Sequence, residues 1–326
     1  MIALAEPLTP QWYEQRRRGI GASEIAAVMG LSPWDSPFSL FWRKTNGWEN
    51  EASPEMSAGT RLEPAIAGWW ADERDPLENL TVVTSPLVAH PERPWQLASP
   101  DRLVHMACAY CNGSGLLGDL DYGLYACDEC YDPNKQLDAP VAVLELKYVA
   151  QSWDGWGDAG TDEIPVHYRA QVQWQCDVVD VDTWYLAALG PAGFREYHGR
   201  RDEKDLRVMR EYGRRFMARL EAGAPPPIDD HSATLATVKR LHPDVDDTEA
   251  EVPADVAAGY RRACAMERTA KSVKKRYEAL LRDQMGRARK ATTGGSFVAS
   301  RSVYEVAEHT VKTHTVDRLN PPRSKK

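Results

Sequence analysis

The sequence predicts an α/β (α+β) fold in which helices surround a central mixed sheet. Three observations predict it. Capped helical segments fill the first 74 residues; the run Val-Ala-Val-Leu-Glu-Leu at 141–146 is apolar enough for a central strand; helical and strand periods then alternate up to residue 220.

Thr9-Pro10 reads as an N-cap followed by proline at the first helical position, opening a helix that stops near Gly19. Ser23 can cap a second, short helix ending at Gly30. Ser36-Pro37 repeats the signal for a third, with Phe38, Phe41 and Trp42 on its apolar side and Asn46-Gly47 closing it. A longer helix is expected from Glu55 to Arg74, where Leu62, Ile66 and Trp69 recur at helical spacing.

The period then changes. Strands are expected at 81–83, 95–98, 102–104 and 141–146, a helix from Pro165 to Cys176, strands at 184–189 and 194–197, and a helix from Glu203 to Leu220. After Gly223 the chain turns proline-rich and acidic, as linkers do. A helical pattern resumes from Asp255 to Leu281, and Gly294-Gly295 precedes a hairpin strand at 296–306. The expected organisation is a core over 1–223 with an insert at 106–139, a linker over 224–254 and a basic extension over 255–326.

Composition bounds the function. With 326 residues and 43% hydrophobic content, the chain can bury one large core. It has no apolar run of membrane-spanning length, and its start lacks the pattern of a signal peptide, so a cytoplasmic enzyme without a membrane partner is expected, in the host cytoplasm if phage-encoded. The net charge of −8 is unevenly spread: Arg261 to Lys326 carry 17 Lys and Arg against 6 Asp and Glu, and the remainder carries 23 against 42. A basic segment on an acidic body fits a nucleic-acid contact as well as a solvated helix.

The chemistry concentrates around Ser99-Pro100-Asp101 and Glu145-Leu146-Lys147. Residues two apart on a strand point to one face, so Glu145 and Lys147 project together while Leu146 faces the core. If Asp101 reaches the same point, the carboxylates of Asp101 and Glu145, with the backbone carbonyl of Leu146, offer oxygen ligands to Mg²⁺ (or Mn²⁺). Glu63 on the preceding helix can add a further carboxylate. Lys147 would orient or deprotonate the attacking water. Glu-x-Lys on a strand is, by itself, more often an ordinary solvated pair than a catalytic one.

The order of several blocks resembles the family of lambda exonuclease and the YqaJ-type viral recombinase nucleases, members of the PD-(D/E)xK superfamily. The blocks are Trp12-Tyr-Glu-Gln-Arg16-Arg-Arg-Gly19-Ile20-Gly-Ala-Ser23, Gly59-Thr-Arg-Leu-Glu63, Ala98-Ser-Pro-Asp101, Leu144-Glu145-Leu-Lys147 and Pro165-Val-His-Tyr168-Arg-Ala-Gln171-Val-Gln173. The resemblance implies a restriction-endonuclease-like core in which Glu63, Asp101 and Glu145 bind Mg²⁺, Lys147 is catalytic and Gln171 supports the site. It also implies that Arg16 and Ser23 bind phosphate near a DNA 5′ end, that a single-strand annealing protein is a partner, and that the chain assembles as a ring trimer.

Read from the residues alone, Ser23 at a helix N-terminus with Arg16 nearby suits an anion, but the residues by themselves favour the plainer reading of a cap beside a surface arginine; Arg17 and Arg18 leave open which arginine faces the site. Tyr168 and Gln171 lie three apart on one helical face, which suits a shared substrate site with Gln173, while the plainer reading makes Val172, Trp174 and Cys176 packing and the glutamines polar surface.

Between Asp101 and Glu145 stand Cys108-Ala-Tyr-Cys111 and Cys127-Asp-Glu-Cys130. Two such pairs, fifteen residues apart, match a four-thiolate structural Zn²⁺ site. A redox pair is the weaker alternative, and Cys176 and Cys264 are left over as buried or incidental thiols. Three functions follow: a Mg²⁺-dependent exonuclease processing duplex ends for phage-type recombination or single-strand annealing; a PD-(D/E)xK endonuclease or single-strand-specific nuclease; and a non-enzymatic zinc-containing DNA-binding protein. The set Glu63, Asp101, Glu145 and Lys147 speaks against the third.

Overall fold

The structure, a computed structural model, describes residues 1–48, 53–74, 79–108, 116–119, 123–127 and 139–305, in two units, Met1–Leu241 and His242–Lys326. The first unit runs β1 (Ile2–Ala5), α1 (Pro10–Arg17), α2 (Ile25–Val28), α3 (Pro37–Asn46), α4 (Pro54–Asp72), β2 (Leu80–Thr84), β3 (Leu87–Ala89), β4 (Leu97–Ala98) and β5 (Arg102–Met106). It continues with β6 (Leu116–Asp119), β7 (Gly123–Ala126), β8 (Ala142–Tyr148), α5 (Val166–Val179), β9 (Thr183–Gly190), β10 (Gly193–Arg200), α6 (Glu203–Glu221) and α7 (Ser232–Leu241). The second holds α8 (Ala254–Met285) and a hairpin of β11 (Lys290–Thr293) and β12 (Ser296–Ser300).

The central sheet has the order β10-β9-β8-β5-β2. Strands β8 and β9 are parallel, because α5 carries the chain back between them, and the other neighbours are antiparallel. The fold is thus a mixed sheet flanked by helices. Alternation along β8 assigns its faces. Leu144 and Leu146 pack with Ile66, Ala67 and Trp70 of α4 on one side, and Val143 joins the larger core of α2, α5 and α6 on the other.

Helix α5 is the centre of that larger core: its residues from Ala170 to Val179 are all buried, and the Trp174 indole donates to the Leu97 carbonyl over 3.1 Å. Helix α3 begins with the expected cap, Ser36 and Ser39 bonding each other's backbone N–H, and ends at Gly47 in the left-handed region (φ 63°) that glycine tolerates.

Three expectations change. Helix α2 is a single turn with Glu24, not Ser23, at its N-cap position, because the Glu24 carboxylate turns back to accept from the Gly21 N–H over 2.8 Å. The segment expected as linker contains α7, which docks on the core: Ser36 and Thr234 hydroxyls meet at 2.6 Å, and the core unit extends to Leu241. Strands β1 and β3, not expected, form a second small sheet with β4, since pieces of three or four residues carry too little period to read. No helix among the described residues is long and apolar enough to cross a membrane.

Candidate active site

Antiparallel pairing of β5 with β8 sets Arg102 opposite Leu144, so Asp101, the residue before β5, stands beside Glu145. The contact is locked by backbone: the Leu146 N–H donates to Asp101 Oδ2 over 2.7 Å. Period two brings Glu145 and Lys147 to one face, and the Lys147 ammonium pairs with Glu145 Oε1. That face looks onto α5. Gln171 donates to the same Oε1, and Gln175, one turn further, donates to Oε2 over 2.6 Å. Glu145 is therefore buried and held at both oxygens. The Lys147 ammonium also lies 5.1 Å from the centre of the Tyr168 ring.

Electrostatics show an excess of negative charge. Burial, and then Glu145, push the Asp101 carboxyl well above the ordinary carboxylate range, relieved only in part by Lys147 and the Leu146 N–H. Burial and Glu145 likewise raise Glu63, against the pull of Lys147 and Arg102. Burial works against the Lys147 ammonium, but Glu145 and Asp101 outweigh it and hold it charged above the usual lysine range. Such a cluster suits an added cation, and its donors are all oxygen, the set a hard divalent ion takes. Among the described residues no three His, Cys, Asp or Glu side chains stand close enough, as placed, to hold a metal ion. Lys147 supplies positive charge at Glu145.

A small pocket adjoins this site. Arg16, Gly21, Ser23, Ser99 and Gln171 line it, with room of about 30 Å³, so the residues expected at a DNA end share a wall with the glutamine that holds Glu145. Arg16 donates to the Ser23 hydroxyl over 3.0 Å and lies 4.5 Å from the Trp12 ring centre. Of the three neighbouring arginines, Arg16 is the one that lines this pocket. Arg18 pairs with Glu14 in solvent, and Arg17 lies against Gly47, where an added Cβ would come within 3.0 Å of its guanidinium. Behind Arg16 sits a buried ion pair, Lys44 with Glu24 at 2.8 Å. Burial opposes the Glu24 charge, but Lys44, Arg16 and Arg43 prevail and hold its carboxyl at about 2.

Gln173 is not brought to the site. Its amide nitrogen donates to the Arg200 carbonyl over 2.8 Å and its oxygen accepts from the Asp202 N–H over 2.7 Å. Two positions along a helix turn the direction by about 200°, which carries Gln173 away from the face shared by Gln171 and Gln175. The glutamines of α5 are not polar surface either; all three are buried. Gln175 went unnoticed in the sequence, although its spacing of four from Gln171 is the signal that finds it. Of the insert cysteines, Cys111 and Cys130 lie outside the described residues, and the Cys108 and Cys127 sulfurs stand 3.8 Å apart. Cys176 is buried in the core, its thiol pushed up to about 12 by that burial.

Asp101 before one strand and Glu145-x-Lys147 ending its neighbour, on a mixed sheet with Glu63 on the flanking helix, stand in the arrangement expected of a PD-(D/E)xK site. The model of the YqaJ-like viral recombinase domain matches residues 11–182, more than half of the chain, and the chain belongs to that family. It is 25% identical over 253 residues to the uncharacterized protein YqaJ of Bacillus subtilis strain 168, a match covering 74% of this chain and 65% of that protein's length. Similar solved structures include an alkaline exonuclease, LHK-Exo, from Laribacter hongkongensis, with 18% identity, TM-score 0.45 and coverage of 72% of this chain and 100% of that one. A phage-related exonuclease from Haemophilus somnus 129PT matches at 11% identity and TM-score 0.40, over 63% of this chain and 96% of its own.

Proposed function

We propose that the chain is a metal-dependent deoxyribonuclease that processes the ends of double-stranded DNA as an exonuclease. The observation that carries this reading is the convergence of Asp101, Glu145 and Lys147 where β5 and β8 pair, with Glu63 within electrostatic reach. Glu63, Asp101, Glu145 and the Leu146 carbonyl would hold Mg²⁺ or Mn²⁺, which supplies, when bound, stabilisation of the charge that develops on the transferring phosphate. Lys147 orients the attacking water and offsets phosphate charge. Gln171 and Gln175 keep the Glu145 carboxylate aimed, and the Leu146 N–H does the same for Asp101.

Arg16 and Ser23 would take the terminal 5′ phosphate: a guanidinium and a hydroxyl already face one pocket, and a phosphate dianion suits both. Tyr168 borders the same centre beside Lys147. Cys108, Cys111, Cys127 and Cys130 would hold a structural zinc. Thiolates 2.3 Å from one tetrahedral ion stand about 3.8 Å from each other, and that spacing separates the Cys108 and Cys127 sulfurs, one from each pair. A single-strand annealing protein as recipient of the product, and a ring of three chains, complete the reading.

Incubation of the full-length protein with Mg²⁺ and either linear or covalently closed circular duplex tests the function. Linear DNA should be degraded and the circle spared. A well-folded Lys147→Ala variant should cleave neither; full activity in that variant overturns the nuclease site, and equal loss of circles overturns end processing.

A further inference from the structure

One large aromatic side chain beside the site has no role in the reading above. Trp34 is 62% exposed, yet it belongs to a fixed loop. The Ser32 hydroxyl accepts from the N–H groups of Trp34 and Asp35, each over 3.2 Å, and the Asp35 carboxylate accepts from Arg43 over 2.7 Å. A ring nitrogen of His231 stands 3.2 Å from the Ser32 carbonyl, tying the loop to α7 as well. Isolated exposed aromatics are common and need no function. What distinguishes this one is that a hydrogen-bonded loop presents it against the His167–Tyr168 pair that borders Lys147.

The ring packs edge-to-face on His167 at 4.8 Å and stands 6.2 Å from Tyr168, whose own ring lies 5.1 Å from the Lys147 ammonium. Trp34 is therefore two ring contacts from the catalytic lysine. His167 Nε2 is shielded from solvent and has no hydrogen-bonding partner among the described residues, and burial together with Lys147 holds the ring neutral, its pKa lowered to about 4. A neutral imidazole backing an exposed indole is an uncharged aromatic surface with no charge to attract an anion. It suits the flat face of a nucleobase, while Lys147 and Arg16 take the phosphates.

We propose that Trp34, backed by His167, is the stacking platform for a nucleobase of the DNA strand whose phosphodiester enters the Lys147 site. This rests on the nuclease reading for its substrate. Its chemistry predicts little base preference, because every base offers a π face.

The test uses full-length protein, Ca²⁺ in place of Mg²⁺ and 5′-phosphorylated duplexes carrying 2-aminopurine at the first, second or third position of the 5′-ended strand. At one of these positions the wild type should quench the fluorescence. Trp34→Ala should abolish that quenching and weaken binding by roughly 5- to 150-fold, the range for loss of one stacked base. Trp34→Phe, which keeps a ring, should retain most of both, and the exposed position should leave the Tm of each variant near that of the wild type. In cleavage assays Trp34→Ala should raise KM far more than it lowers kcat. Unchanged quenching and affinity in Trp34→Ala overturn the platform, whereas absence of cleavage by the wild type on any DNA overturns the nuclease and leaves the quenching experiment to decide the platform alone.

Discussion

Gln175 donates to Glu145 Oε2 over 2.6 Å, so a carboxylate 2% exposed is held at its second oxygen by a side chain one helical turn beyond Gln171. A hydrogen bond to a buried charged group is worth about 1.5–3 kcal/mol. Its removal also frees Glu145 to rotate away from Asp101.

Gln175→Ala should therefore lower kcat/KM by about ten-fold or more and raise the Mg²⁺ concentration needed for half-maximal activity. Gln173→Ala should change stability but not the metal response, because Gln173 bonds the backbone of Arg200 and Asp202, away from the site. Metal titrations of activity for the two variants check the contrast; equal metal responses defeat it.

The raised carboxyls make a stability prediction with a definite sign. Asp101 and Glu63 bind their protons more tightly folded than unfolded, so the stability they contribute is present at low pH and is lost as pH climbs from the ordinary carboxylate range through their raised values. In EDTA the Tm should fall across that window, and Asp101→Asn, which keeps an acceptor for the Leu146 N–H, should raise the Tm at neutral pH while abolishing cleavage. Mg²⁺ should restore the wild-type Tm at neutral pH with release of protons. Calorimetry at several pH values, with and without the ion, measures each of these; a Tm of Asp101→Asn at or below the wild type in EDTA contradicts the charge excess.

Arg16→Ala should reduce the preference for 5′-phosphorylated over 5′-hydroxyl ends, since Arg16 and Ser23 line the pocket that Gln171 shares with the site. Ser23→Ala should act in the same direction and more weakly, having lost a neutral partner in place of a charged one. Arg18→Ala, in an exposed pair with Glu14, should leave the ratio unchanged. Rates on the two end types give the answer, and an equal loss on both ends in Arg16→Ala shows general backbone binding.

Zinc content would separate the two proposed metal sites. Soft thiolates and hard carboxylates sort their ions, so protein purified without added metal should contain about one zinc per chain. Cys127→Ser should lose it while Asp101 and Glu145 keep their β5–β8 contact, which rests on backbone pairing. Elemental analysis of the reduced protein decides it; the absence of zinc, or a disulfide between the pairs, removes the proposal.

Much of this molecule was legible as sequence, and the reasons are local. Thr9-Pro10 and Ser36-Pro37 set helix starts through their own side chains and ring constraints. The period of two along β8 determined that Glu145 and Lys147 share a face whatever surrounds them. The spacing of 171 and 175 carried the second glutamine as well, but nothing local told whether that face of α5 met solvent or a carboxylate. Tertiary packing decided it, because α5 is buried on every side from Ala170 to Val179, and the amide nitrogens of Gln171 and Gln175 find their acceptor in Glu145. The same holds for Ser23, a cap by sequence, which lost that position when the Glu24 carboxylate, drawn by Lys44 from α3, turned back onto Gly21. Helix α7 followed the same rule: its sequence reads as linker, and its docking depends on Ser36 and Ser32, some two hundred residues earlier. The chain's own periods set the elements and the face of the acid-lysine pair, whereas the partners that hold those groups came from long-range burial, whose unpaired polar atoms cost more than any local preference supplies.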